Sequence, residues 1–261
     1  MAPDSPIEHR RVALAILLLV LLVQAVALAP ELSAARYRHN DSISHFALIH
    51  GMADAVERGD NPLDFWSAET SLGLPLARWY QPLAHLAVTA VYFLFGKTIS
   101  LWTLFLWAEY LAIVLLPASF YFAARCLGLP RLAAAAAALL APLIAGPGTG
   151  QMSVELRTWM AFGGWPQAIG VSLLLISTGV AYRAIRTGRH VVAAGALLGV
   201  TLITHLIYGW MAALTACLIA LLPDAVPLTA RLRRVLVMGA AAAAIAAFQL
   251  LPILSDGYLI N

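Results

Sequence analysis

A single carboxylate, Asp41, stands in Arg38-His39-Asn40-Asp41-Ser42, near the start of the chain's one long polar stretch, residues 30–81. A carboxylate placed beside a polar substrate can accept a proton. His45 follows at i+4, so on a helix the two share a face and could offer two ligands to a divalent metal ion, short of the three or four a site needs. Arg36, Arg38, Arg78 and Arg157 carry planar forks suited to a phosphate group. Anchoring to lipid headgroups would use the same side chains. Glu155 lies in a second polar stretch near residues 147–165, where an exposed pair with Arg157 is the plain alternative. For Asp41 the plain alternative is helix capping, with Asn40 and Asp41 opening a helix. Glu109 and His205 lie instead in apolar sequence. Glu109 must face a bundle interior or a wet cavity, with Tyr110, His205 or backbone as partner. His205, in Ile203-Thr204-His205-Leu206, could reach a phosphate from the membrane side or make a packing hydrogen bond. No phosphate-binding glycine loop, serine triad or zinc spacing occurs.

These residues need a scaffold, and composition says which kind. Of 261 residues, 62% are hydrophobic and 11% charged, against about 25% charged in a soluble domain. That excess of apolar surface calls for a multi-spanning membrane protein. The basic residues sit at the ends of apolar runs rather than on one face interleaved with aromatics, which excludes nucleic acid as a partner. Cys126 and Cys217 are far apart and have no metal-type spacing.

Apolar runs predict helices at 12–29, 99–124, 131–146, 166–186, 190–204, 207–222 and 235–254. A further run, 82–96, is shorter than the roughly 17 residues a span needs. If it does not cross, ten of the sixteen basic residues fall on the side of the N-terminus: Arg10, Arg11, Arg125, Arg131, Arg183, Arg186, Arg189, Arg231, Arg233 and Arg234. The bias of Lys and Arg towards the cytoplasm then places the N-terminus inside and residues 30–98 outside. Cleavage of the first helix as a signal peptide is disfavoured by its apolar core, longer than the usual 7–15 residues. Ala133–Ala138 and Ala240–Ala244 are small-residue tracts that allow close helix approach.

Within the polar stretch, Phe46, Ile49, Ala53 and Val56 recur at helical spacing, which predicts a helix over 41–58 resting on the membrane surface. Gly73-Leu74-Pro75 and Tyr80-Gln81-Pro82-Leu83 follow, then the short apolar run ending in Phe95-Gly96, and later a Thr204-His205 pair. This order resembles the N-terminal half of GT-C-type glycosyltransferases, in particular the bacterial branch named as related to 6-pyruvoyl-tetrahydropterin synthase. The resemblance covers roughly residues 10–255. It implies a polyprenyl-phosphate-linked sugar as donor and membrane lipids as surroundings. It also implies Asp41 as general base or metal-linked acid, Glu155 as a second acid for metal or acceptor, and a phosphate held by Arg38, Arg78, Arg157 and His205. A divalent metal ion is the cofactor to be tested, with Asp41 and His45 as its candidate ligands. Two departures stand out. Sugar transferases of this class often carry two adjacent acids where this chain has Asp41 beside Ser42, and they have more spans, so the expected correspondence is to an N-terminal half, truncated at the C-terminus.

The expected architecture is an all-α polytopic membrane helix bundle of about seven transmembrane helices plus outward juxtamembrane helices. It forms one membrane domain over 1–261: a first helix at 12–29, an outward loop at 30–98 and a bundle at 99–254. The expected location is a bacterial inner membrane, with the active side extracytoplasmic. A non-catalytic protein for lipid transport or assembly on the same scaffold is the alternative. An ion-coupled carrier resting on Glu109 and His205 is a third reading.

Overall fold

The computed structural model describes residues 6–33, 41–67, 73–144 and 163–256. Their regular structure is helical, apart from one isolated antiparallel bridge between Ser67 and Leu74. The helices are α1 (Pro6–Leu28), α2 (Asp41–Arg58), α3 (Leu76–Trp79), α4 (Leu83–Leu94), α5 (Leu101–Val114), α6 (Leu116–Cys126), α7 (Arg131–Leu140), α8 (Trp165–Thr187), α9 (Val191–Thr204), α10 (Leu206–Leu221) and α11 (Leu228–Asp256). Short 3-10 turns follow α1 and α7. Helices α2, α3 and α4 form a cap over one end of a bundle built by the others.

The bundle is packed inside-out relative to a water-soluble protein. Along α10, Gly209, Ala212, Ala216 and Ala220 are buried, whereas Trp210, Met211, Leu214, Leu218 and Leu221 are exposed. Large apolar side chains are exposed in the same way along α1 and α11. Small residues inside let backbones approach, and apolar residues outside suit hydrocarbon, so the pattern points to a membrane-embedded protein. Among the described residues three helices are long and apolar enough to cross: α1 with its following turn, α8 and α11. The α5–α6 pair makes a fourth candidate, bent by 42°. The bend interrupts the single helix expected over 99–124. Pro117 sits in the first turn of α6, has no N–H to give to the preceding turn, and crowds its carbonyl. The short apolar helices α7, α9 and α10, of 10–17 residues with the turn after α7 included, do not by themselves have the length of a span.

Glycines set the closest contacts. A Cβ on Gly195 would meet Met238 and Ala241 of α11, and one on Gly199 would meet Ala242 and Ile245. Part of the expected alanine tract at 240–244 is therefore a packing surface. Helices α9 and α10 are joined by one residue, His205, whose extended backbone (φ −154°) reverses the chain. The reversal brings Gly209 against the backbone of Leu202.

The end of the bundle away from the cap gathers arginines. Arg231, buried, donates to the carbonyls of Ala220, Leu222 and Val226. Arg234 donates to Ile185 O at 2.6 Å, and Arg186 pairs with Asp224 at 2.6 Å. The arginines read as a loop before 235 thus belong to α11, which begins at Leu228, and two of them, Arg231 and Arg234, occupy carbonyls that close α10 and α8.

One correction concerns α2. Its buried face is Ser42, His45, Leu48, Ile49, Met52, Ala53 and Ala55, while Val56 is exposed. The helix is rotated from the purely apolar face expected of a surface helix, because α4 and α5 supply partners for its polar residues.

The Gly209 contact predicts a paired result. Gly209→Ala should destabilise by about 1–3 kcal/mol through overpacking. Gly239→Ala, on open space in α11, should be neutral or stabilising by up to about 1 kcal/mol. Thermal unfolding of the purified protein in detergent would show the two shifts, and equal shifts would refute the close contact.

Candidate functional site

Beneath the cap lies a cluster of buried polar side chains drawn from α2, α4, α5, α8 and the α9–α10 turn. Ser42 Oγ donates to Glu109 Oε1 at 2.9 Å. One turn further along α2, His45 Nδ1 meets His85 Nε2 at 3.0 Å, so one ring donates and the other accepts. Tyr80 packs against both rings, with centroids 5.8 Å from His45 and 5.7 Å from His85. Trp165, the first residue of α8, closes the floor at 6.2 and 5.4 Å from the same rings. Beside it, Gln167 Nε2 donates to Tyr208 OH at 3.1 Å, and the His205 ring lies 4.6 Å from Tyr208. His205 Nδ1 and Trp165 Nε1 are buried with no hydrogen-bond partner among the described residues.

Two glycines bring these pieces together. Gly163 has φ +79° and lies against the backbone and hydroxyl of Ser42, so both conformation and space demand glycine. It ties the entry of α8 to the first turn of α2. Gly170 leaves room for His205, where a Cβ would come within 2.7 Å of the His205 Cβ.

Burial sets the protonation of the cap. Desolvation, reinforced by the neighbouring His205, holds His45 down at about 4. Desolvation and then His45 itself push His85 in the same direction. Burial and then the Asp41 carboxylate raise Tyr80 to about 12. At neutral pH both histidines are therefore uncharged and the phenol keeps its proton. Asp41 itself, one residue before Ser42, is exposed.

An apolar groove of 940 Å³ leads away from the cluster. Val88 and Val91 of α4, Trp107 and Leu111 of α5, Tyr121 of α6 and Ile176 of α8 are among its walls. Trp165 belongs to both groove and cluster. Ser172, on the same wall, has a buried hydroxyl with no partner among the described residues.

The sequence-predicted residues divide three ways. Asp41, His45, Glu109 and His205 come together in or above the cluster. Arg78 lies apart, its guanidinium forked onto Asp64 at 3.0 and 2.8 Å. Arg38, Glu155 and Arg157 lie outside the described residues. Glu109 finds a partner in Ser42, not in the adjacent Tyr110, whose hydroxyl donates to Ala25 O at 2.8 Å. Asp41 and His45 do not form a metal pair, since His45 turns inward to His85 while Asp41 faces out. No group of three metal-capable side chains occurs among the described residues. Sequence reasoning misses His85, Trp165 and the role of Ser42. A histidine inside an apolar helix was the available signal for His85, the same signal that drew attention to His205.

No protein-family model, curated protein or solved structure matches this chain.

The buried histidine pair makes stability depend on pH. His45 takes up a proton near 6.5 when unfolded but only near 4 when folded. Its contribution is complete above about pH 6.5 and is lost as pH falls towards 4, up to about 3 kcal/mol for this residue. The melting temperature should be flat from pH 8 to 7 and drop below 6.5, and His45→Gln should flatten the acid limb. A wild-type melting curve indifferent to pH over that window would contradict the assignment.

Proposed function

We propose that this protein transfers a sugar from a polyprenyl-phosphate donor to a lipid, glycan or protein acceptor at the cap face of the membrane. The observation that carries the reading is the apolar groove ending at the Trp165–His45–His85 cluster. A long isoprenoid chain needs an apolar groove with a polar headpiece at one end, and groove and cluster share a residue. Asp41 opens α2 one residue before Ser42, a member of the cluster. In the reaction, Asp41 accepts the proton of the acceptor hydroxyl. The acceptor oxygen bonds to the anomeric carbon, the carbon–oxygen bond to phosphate breaks, and polyprenyl phosphate leaves. His205, Arg38 and Arg157 are assigned to the phosphate and Glu155 to the acceptor, as the resemblance implies. The likeness to GT-C-type enzymes in Gly73-Leu74-Pro75, Tyr80-Gln81-Pro82-Leu83 and Thr204-His205 supports the same chemistry.

In this reading α7, α9 and α10 cross together with α1, α5–α6, α8 and α11, which makes seven crossings. Packing against neighbours compensates the shortness of the three. The arginine end faces the cytoplasm of a bacterial cell, as the bias of basic residues requires, and the cap lies outside.

Two variants test the proposal in vesicles that contain polyprenyl-phosphate sugars. Asp41→Asn should abolish transfer without lowering the melting temperature, and full activity in that variant would sink the assignment. Ala87→Trp, at an exposed position on the groove wall, should raise the KM for the lipid donor at least tenfold, on the order of 1.4 kcal/mol, with kcat less affected. An unchanged KM would remove the groove from the donor site.

A further inference from the structure

At the end of the bundle away from the cap, α6 stops at Cys126 whereas α8 continues to Thr187. The two helices touch closely at one place, where a Cβ on Gly179 would meet Cys126 Cβ at 2.9 Å and the Ala123 backbone at 3.1 Å. Beside that contact opens a notch of 420 Å³, with Phe122 and Cys126 on one wall and Val180 and Ala184 on the other. Its surface is almost wholly apolar, yet three bases line it: Arg183, Arg189 and His190, all exposed. An arginine lines an apolar wall with its methylene stem and keeps its charged head at the mouth. Gly188 (φ +74°) and His190 (φ +57°), both left-handed, turn the chain from α8 into α9 and so set Arg189 and His190 on the same notch as Arg183.

The charge balance narrows the ligand. Other arginines at this end are engaged, Arg231 and Arg234 by backbone carbonyls and Arg186 by Asp224. The Arg183 and Arg189 guanidinium groups have neither a hydrogen bond nor an ion pair among the described residues, and no acid among those residues lines the notch. Two unneutralised forks call for an anion, best a phosphate. The apolar walls call for a chain of carbon. Val180 and Ala184 continue the face of α8 that carries Ile169, Leu173 and Ile176 in the groove, at helical spacing, and Phe122 borders both spaces. A chain entering the notch therefore has an apolar course along α8 towards the middle of the bundle. Basic pockets between membrane helices are suited to anionic headgroups. We infer that the notch binds an anionic glycerophospholipid from the leaflet at the arginine end, its phosphate on Arg183 and Arg189 and one acyl chain along α8. The site lies at the opposite end of α8 from the Trp165 cluster and uses none of its residues.

The test is lipid retention without any sugar donor, so its outcome does not depend on the transfer reading. Purified protein in micelles that carry equal amounts of phosphatidylglycerol and phosphatidylcholine is weighed intact by native mass spectrometry. One phosphatidylglycerol should be retained per chain in preference to phosphatidylcholine. Arg183→Gln and Arg189→Gln should each weaken that retention at least tenfold with the melting temperature in phosphatidylcholine unchanged. Arg233→Gln removes one positive charge from an exposed position at the same end, outside the notch, and should alter retention less than twofold. Equal retention of the two lipids would mean ordinary surrounding lipid only. An equal loss in Arg233→Gln would mean general surface charge, and displacement of the lipid by glycerol phosphate would mean a site for a free anion. Each of these results, or retention undiminished in both notch variants, would overturn the inference. If one notch variant fails to fold, the other decides by the same outcomes.

Discussion

A polar side chain buried in a hydrocarbon-facing bundle has no water to return to, so it must find its partner within the protein. The cap depends on that constraint. Ser42 and His45 would not lie on the inner face of α2 unless Glu109 and His85 met them there. The helix register, the depth of α4 and the position of Trp165 follow from those two contacts. Elsewhere the same constraint is met by arginines that fill the open carbonyls of α8 and α10. Among the described residues it is not met at several atoms, and three of these, on His205, Trp165 and Ser172, lie at the cluster or along the groove.

Much of the bundle is legible in the sequence because apolar runs and charge clusters report directly on hydrocarbon and its edges. The helix at 41–58, the short helix after Pro82 and the break near residue 205 all correspond to observed elements. The register of α2 is not legible, since a stripe drawn from apolar residues alone passes over Ser42 and His45, and their burial depends on partners 67 and 40 residues away. The start of α11 is hidden for a related reason. Three arginines in four residues look like a loop, yet two of them, Arg231 and Arg234, turn back to closing carbonyls of α10 and α8. Pro117 was visible but lay inside a run apolar enough to mask its effect.

Of the candidate site, the single acid and the two sequence-isolated polar residues Glu109 and His205 were readable, because each stands out against its surroundings. Tyr80 was visible only as part of a turn. His85 and Trp165 become significant through proximity, which sequence spacing does not encode. Glycine is the link between the two levels: Gly163 and Gly170 are unremarkable letters, yet each is the gap into which a site residue fits.

The helix directions at the cluster have an electrical consequence. Asp41 opens α2, His85 is the third residue of α4, Trp165 opens α8 and His205 immediately precedes α10. Four helices therefore aim their amino ends at one small volume, each equivalent to roughly half a positive charge. These dipoles add a positive contribution at the cluster, set against the acids Asp41 and Glu109, while both histidines of its pair are neutral at pH 7. That contribution disfavours further protonation of the rings, and it favours an anionic phosphate ester that enters from the groove. Attraction built from backbone dipoles cannot be titrated away, so it persists across the whole range in which the side chains change charge.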